Sequence, residues 1–420
     1  MAHYLRGSAL AGLVGAGLLA SHAAPAQTPP TPETPIIASL SEAHAADTDS
    51  FGPPLGFGAA VAIEGNTAFV GAPLYENTNQ VDSQGNPINS GLVEVYESDA
   101  TGTTWTLIDS LEPVVPTLNS GFGDPLAASG DHLAVGSHTQ IQLYEKRHGQ
   151  WTPTETIPAS PSSMVLVRDT LVYSASGVYI YEIGHGSKPR LIQTLQPLSS
   201  DTGQYGSEIA LKGNLLVVGS PGGFSSSGAT PGQVYVYSRE GSRWHLEQLL
   251  QSPTGAPNSQ FGSGVAISNH SIIVGAPAED NNFDGFTTSA GGEAYVFRKS
   301  HGVWAETQEF RPTVGGIEGF NGFGALIAAA GGRVALSAPY TTDVFDAFFG
   351  PTYIYRWDGD TLVFDGTDGN PGGATANALA ASRNHIVIGT NYVGRGGFFE
   401  GAEVLTYPKA STASSSDTDD

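Results

Sequence analysis

Short apolar runs alternate with turn-forming residues along nearly the whole chain. Aligned on itself at each run that ends in Gly or Ser, the sequence shows seven anchors: Gly71, Gly136, Ser174, Gly219, Gly275, Ser337 and Gly389. Ten residues before each anchor stands Val61, Leu126, Met164, Ile209, Val265, Ile327 or Leu379, and Ala fills the next place in six of the seven repeats. That is a strand with a repeated face. Six and five residues before the anchors come the pairs Gly65-Asn66, Gly130-Asp131, Arg168-Asp169, Gly213-Asn214, Asn269-His270, Gly331-Gly332 and Arg383-Asn384. Most of these residues tolerate positive φ, so each pair predicts a two-residue hairpin turn.

A third strand follows and ends in an aromatic residue, as in Val93 to Tyr96, Ile141 to Tyr144 and Ala294 to Phe297. A fourth often opens with Trp, as in Trp105 to Leu111, Trp151 to Ile157, Trp244 to Leu250 and Trp304 to Phe310. Four antiparallel strands per repeat, seven times over, predict an all-β, seven-bladed β-propeller. The seventh repeat stops after its third strand, while Ile36 to Leu40 precedes the first. This N-terminal strand is expected to close the last blade and so remove an open edge.

Composition narrows the class. Among 420 residues, 55 Gly and 27 Pro make about one in five, against a usual share of roughly 12%, which excludes a mainly helical protein. Against 40 acidic residues stand 17 basic ones, a net charge of −23, which excludes nucleic acid as a partner because phosphates need clustered Lys and Arg. With 0 Cys the chain has neither disulfides nor thiolate chemistry. Arg6, the apolar run Ser8 to Ala20 and Ala24-Pro25-Ala26 have the layout of a signal peptide. The expected organisation is a signal peptide over 1–26, a Pro/Thr-rich linker over 27–35, the propeller over 36–409 and a disordered acidic tail over 410–420. The apolar run is shorter than the roughly 20 residues a membrane span needs. An exported monomer with no transmembrane segment is expected, in the periplasm, at the cell surface or outside the cell.

Five repeats carry an aromatic-Gly pair thirteen residues before the anchor: Phe57-Gly58, Phe122-Gly123, Tyr205-Gly206, Phe261-Gly262 and Phe323-Gly324. Three follow the anchor with Ala-Pro, at Gly71-Ala72-Pro73, Gly275-Ala276-Pro277 and Ser337-Ala338-Pro339. The sequence resembles the FG-GAP repeat family, whose propeller also forms the head of integrin α subunits. The third and seventh repeats depart from it, with Ser160-Pro161 and Thr375-Ala376 in the aromatic-Gly place. The resemblance implies ligand or protein binding, often in adhesion, and suggests Ca2+. Integrin-type repeats hold calcium in an Asp-rich loop where this chain has two-residue turns, too short for an oxygen cage. Another stretch begins like a calcium loop, with oxygen side chains at Asp280, Asn282 and Asp284 before Gly285. It lacks the closing carboxylate of such a loop, since Gly291 stands at the twelfth position.

Enzyme signatures are sparse: no zinc-protease His pair, no nucleophile elbow and no phosphate loop is present. His132, His270 and His385 read as members of the repeated turn; Trp105, Trp151, Trp244 and Trp304, sharing one phase, read as blade-to-blade packing, and Trp357, out of phase beside Asp358-Gly359, as a hairpin-flanking residue. From anchor to third-strand aromatic the distances are 25, 8, 7, 18, 22, 18 and 18 residues. Only repeats two and three are tight, so the longer connections should form one crescent on one face. They carry Tyr75, Phe286, Tyr340, Asp343, Phe345, Asp346, Phe348, Tyr392 and Phe398, which are the candidate ligand-binding residues. Aromatic rings with carboxylates suit a protein or a carbohydrate ligand. The expected function is a non-enzymatic binding or scaffold module. The alternative is a hydrolase or lyase acting on polysaccharide with a carboxylate site in the central depression.

Overall fold

The computed structural model describes residues 35–40, 56–81, 85, 87–198, 203–222, 224–225, 228–230, 232–257, 259–278, 292–311, 320–338, 340–341, 350–368, 375–394 and 397–407. Every regular element among them is a strand. Seven four-stranded antiparallel sheets follow one another along the chain. Their innermost strands are Ala60–Glu64, Leu126–Ser129, Ser163–Val167, Ile209–Lys212, Val265–Ser268, Ile327–Ala330 and Thr375–Ser382. Each lies beside the innermost strand of the next sheet, and the last lies beside the first. The sheets are therefore the seven blades of a closed propeller, numbered here in chain order. All seven expected turns hold two residues, with pairing that closes on Glu64 and Thr67 in blade 1 and on Ser382 and His385 in blade 7.

Blade 7 takes three strands from the C-terminal repeat and its outer strand, Ile36–Leu40, from the N-terminus. Antiparallel pairing runs from Ile36 opposite Thr406 to Leu40 opposite Ala402. The ring is thus closed by main-chain hydrogen bonds as well as by packing. In blades 1 to 6 the pairing of third and fourth strands slips by one residue at the terminal aromatic, for example at Tyr96, Tyr237 and Phe297. Such bulges increase local twist.

The apolar core is divided among the joints between blades. Each of seven buried clusters draws on two consecutive blades; one unites Val217, Val234 and Leu250 of blade 4 with Phe261, Val274 and Trp304 of blade 5. The cluster of Leu40, Phe57, Val70, Val387 and Val404 joins blade 7 to blade 1. Burying each such side chain contributes about 1.5–3 kcal/mol. The expected role of the tryptophans holds: Trp151 of blade 2 meets Phe69 of blade 1 edge-on at 5.1 Å, and Trp244 and Trp304 are buried in the same way.

Two polar devices tighten these joints. Gly324, just ahead of the innermost strand of blade 6, has φ +85° and donates its N–H to the anchor carbonyl of Ser337 in its own blade at 2.9 Å. Its own carbonyl oxygen faces anchor Gly275 of blade 5 so closely that a Cβ on Gly275 would overlap it. The same approach joins Gly389 to Gly58, Gly71 to Gly123 and Gly219 to Gly262. Further out, Gln248 of blade 4 donates from Nε2 to the Trp304 carbonyl at 2.8 Å and accepts the Trp304 N–H at 2.9 Å. Gln193 clasps Trp244 and Gln308 clasps Leu362 likewise.

The histidines correct the turn reading in part. His270 does sit in its turn, with φ +57°. His132 and His385 instead open the second strands of their blades and are buried. His385 packs edge-on against Trp105 at 5.2 Å and bonds to Thr406 Oγ1 at 3.0 Å, so side-chain packing across the joint outweighs turn chemistry at this place.

Gly275→Ala is expected to lower stability by about 2–3 kcal/mol through main-chain overlap. Gln248→Ala, which strands a buried N–H and C=O, should cost about 1–3 kcal/mol. Gly213→Ala, at a turn with open space around it, should cost less than Gly275→Ala. Urea denaturation of the three variants checks the order.

Candidate functional site

Antiparallel winding sends the connections to two unlike ends. At one end lie the two-residue turns between first and second strands and the short turns between third and fourth, such as Gly241-Ser242 and Gly302 beside His301. At the other end the innermost strands begin, and the connections between second and third strands emerge there. Those connections differ by blade. In blade 1 it contains the ribbon Glu76–Val81 with Pro87–Asn89, and in blade 4 the pair Phe224–Ser225 with Gly228–Ala229. In blade 7 the extra length is a continuation of the blade itself: His385–Gly394 and Gly397–Thr406 stay paired up to Gly394 opposite Gly397. Blades 2 and 3 pass from Gly136 to Gln140 and from Ser174 to Val178.

At this variable end the first residues of the innermost strands surround a cavity of about 260 Å³ on the propeller axis. Its wall is mostly small or apolar, with Ala60, Leu126, Met164 and Ile327. Two carboxylates enter it, Asp124 and Glu208. Glu208 lines the cavity and is half-buried, and loss of solvation pushes its carboxyl up to about 7 against the pull of the Ile209 N–H. Burial also raises Asp124, opposed by the charge of His138.

Neither carboxylate was located by sequence reasoning. The signal was present in the repeat alignment: Asp124 follows Phe122-Gly123 and Glu208 stands two places after Tyr205-Gly206, where the other aromatic-Gly pairs are followed by Ala59-Ala60, Ser263-Gly264 and Ala325-Leu326. An acid in that phase points to the axis.

The nine expected ligand-binding residues are placed unevenly. Tyr75 is partly buried and packs on the cluster at the joint of blades 7 and 1, with its main chain tied to Ala72 and Gly91. Tyr340 is on a short strand, opposite Asn321. Tyr392 pairs with Phe399, and Phe398 with Val393, in the extended hairpin of blade 7. All of these lie at the variable end. Phe286, Asp343, Phe345, Asp346 and Phe348 lie outside the described residues, as do the calcium candidates Asp280, Asn282 and Asp284. The turns that correspond to integrin-type calcium loops hold two residues each, and no oxygen cage of six to eight ligands can be built there.

Residues 244–297 match the family model described as FG-GAP repeat. The chain carries an FG-GAP repeat. No curated protein matches the chain. The matched FG-GAP segment begins at Trp244 in the outer strand of blade 4 and ends at Phe297 in the third strand of blade 5. The FG-GAP repeat and the blade are therefore out of phase by one strand, and Phe261-Gly262 and Gly275-Ala276-Pro277 both fall inside it. Among the described residues no helix is long and apolar enough to cross a membrane.

The raised Glu208 gives a pH prediction. Its folded value of about 7 lies above the ordinary 4.5, so its contribution to stability is complete below about pH 4.5 and is lost as pH rises through 7. Thermal melts should show Glu208→Gln and wild type alike near pH 4.5, with the variant melting higher at pH 8.

Proposed function

We propose that the protein is an exported, non-enzymatic binding or scaffold module that takes a protein or carbohydrate ligand on the variable end of its propeller. One observation carries this reading: connections of diverse length are confined to one end of a ring whose other end has tight turns in blade after blade. A frame held by main-chain contacts tolerates changes in its connections, and binding residues gather on such connections. The FG-GAP repeat supports the same reading. Tyr340, Tyr392 and Phe398 would supply aromatic contact area, joined by Phe286, Asp343, Phe345, Asp346 and Phe348. Export rests on the signal-peptide layout of residues 1–26, and the mature chain would then begin at Gln27.

A second reading rests on Glu208 and Asp124. A carboxyl that titrates near neutrality beside a second carboxyl in one cavity is the equipment of general acid–base catalysis. In this reading the axial cavity hydrolyses or cleaves a polysaccharide chain.

Replacement of 343–349 by a short Gly-Ser turn separates the two. On a panel of immobilised proteins and soluble polysaccharides, the binding reading expects saturable binding by wild type, no turnover, and at least a tenfold loss of affinity in a replacement variant that melts normally. Turnover abolished by Glu208→Gln would favour the second reading, and unchanged binding by the replacement variant would sink the first.

A further inference from the structure

At the tight-turn end, between blades 2 and 3, three side chains converge from separate elements. His132 opens the second strand of blade 2, Asp169 lies in the two-residue turn of blade 3, and His185 lies in the turn before the outer strand of blade 3. Each offers one donor atom, and the three atoms lie within 4.8 Å of one another. The two imidazole rings are 4.5 Å apart between centroids.

His132 carries the argument. It is only 8% exposed, and its buried Nε2 has no hydrogen-bond partner. The nearest charged oxygen, Asp169 Oδ1, is 3.6 Å away, beyond hydrogen-bond reach. A buried polar nitrogen left without a partner costs about 1–3 kcal/mol, and here it faces a carboxylate and a second imidazole across a gap. A cation between them would satisfy all three. Behind His185, Glu145 Oε1 holds Nδ1 at 2.6 Å, while the other oxygen of the same carboxylate, Oε2, accepts from Arg147 Nε at 3.0 Å. This leaves Nε2 of His185 for a ligand, with the carboxylate in the supporting position usual behind a metal-bound histidine.

We propose that His132, Asp169 and His185 bind a divalent transition-metal ion of the Zn2+ class, which staples blade 2 to blade 3. Two imidazoles and one carboxylate suit zinc, and Ca2+ would demand more oxygens. Asp169 and His185 are 59% and 64% exposed in their side chains, so the remaining coordination position opens to water.

The location supports a staple. Blade 3 has Pro161 where five of the other six blades have the glycine of the aromatic-Gly pair, and the glycine contact across the joint is replaced at Gly136 by packing on Pro125 of its own blade. The Gln clasps join blades 3 to 4, 4 to 5 and 5 to 6. Among the described residues, the joint of blades 2 and 3 has neither device.

The test uses the full chain without an affinity tag, stripped with EDTA and titrated with ZnCl2 by calorimetry and thermal melting. One ion per chain at this cluster and a rise in Tm on saturation are expected. His185→Ala and Asp169→Asn, both at exposed positions, should each weaken binding at least tenfold while the metal-free Tm stays near that of wild type. Asp280→Asn with Asp284→Asn should leave zinc binding unchanged. No zinc uptake by wild type overturns the proposal. So does undiminished binding by both cluster variants, or binding lost only in the Asp280/Asp284 variant.

Discussion

At four of the seven joints the main chain of one blade touches the main chain of the next with no side chain between them. Gly58, Gly123, Gly262 and Gly324 each turn their carbonyl onto the anchor glycine of the preceding blade, while their N–H is spent on the anchor of their own blade. The distance between neighbouring inner strands is set by this contact, and the apolar clusters fill what remains. Phe57, Phe122, Phe261 and Phe323 are buried almost completely beside these glycines. The pair thus combines a spacer that admits no Cβ with a ring that fills the adjacent joint. Elsewhere the ring is held by other means. Gly206 lies against the side chain of Ser174, and Arg333 of blade 6 lies 3.9 Å over the Tyr407 ring of blade 7.

A frame made in this way separates two properties that are often coupled. Stability resides in the joints and the tight turns, whereas the connections of variable length and the two axial carboxyls lie at the end where the inner strands begin. The axial cavity shows the cost of placing charge there. Five inner strands present mostly small or apolar residues to it, and the two carboxyls that intrude are both displaced upward by loss of solvation. In a protein of net charge −23, ionising Glu208 at this place costs stability as pH rises through about 7.

Architecture was legible because it is encoded seven times. Anchors, turn pairs and terminal aromatics recur in phase, and the N-terminal strand showed its place by having the character of a missing outer strand. The joints were less legible. A Gln four residues after Trp244 or Trp304 has no meaning until the next blade is in position, because its partners are main-chain groups more than fifty residues away. His132 has the spacing of a turn residue, yet its side chain belongs to a joint with Asp169 and His185, and only the fold makes these neighbours. The expected binding residues were found by connection length and ring content, which identify an end of the propeller but not a geometry. Tyr75 illustrates the limit: an aromatic in a long connection turned inward to pack on the core.

The closing strand has a mechanical consequence. Ile36 stands opposite Thr406, so the main chain leaves this pair in both directions at one corner of blade 7, on the tight-turn side and away from the axial cavity. A tension applied between the two departing segments would load the outermost pairing first and break its hydrogen bonds one after another. An antiparallel pair pulled from one end peels, whereas the same five residues pulled from opposite ends would have to yield together. The closing pair is therefore opened more easily by tension between Ile36 and Thr406 than by the same tension applied along the pair from opposite ends.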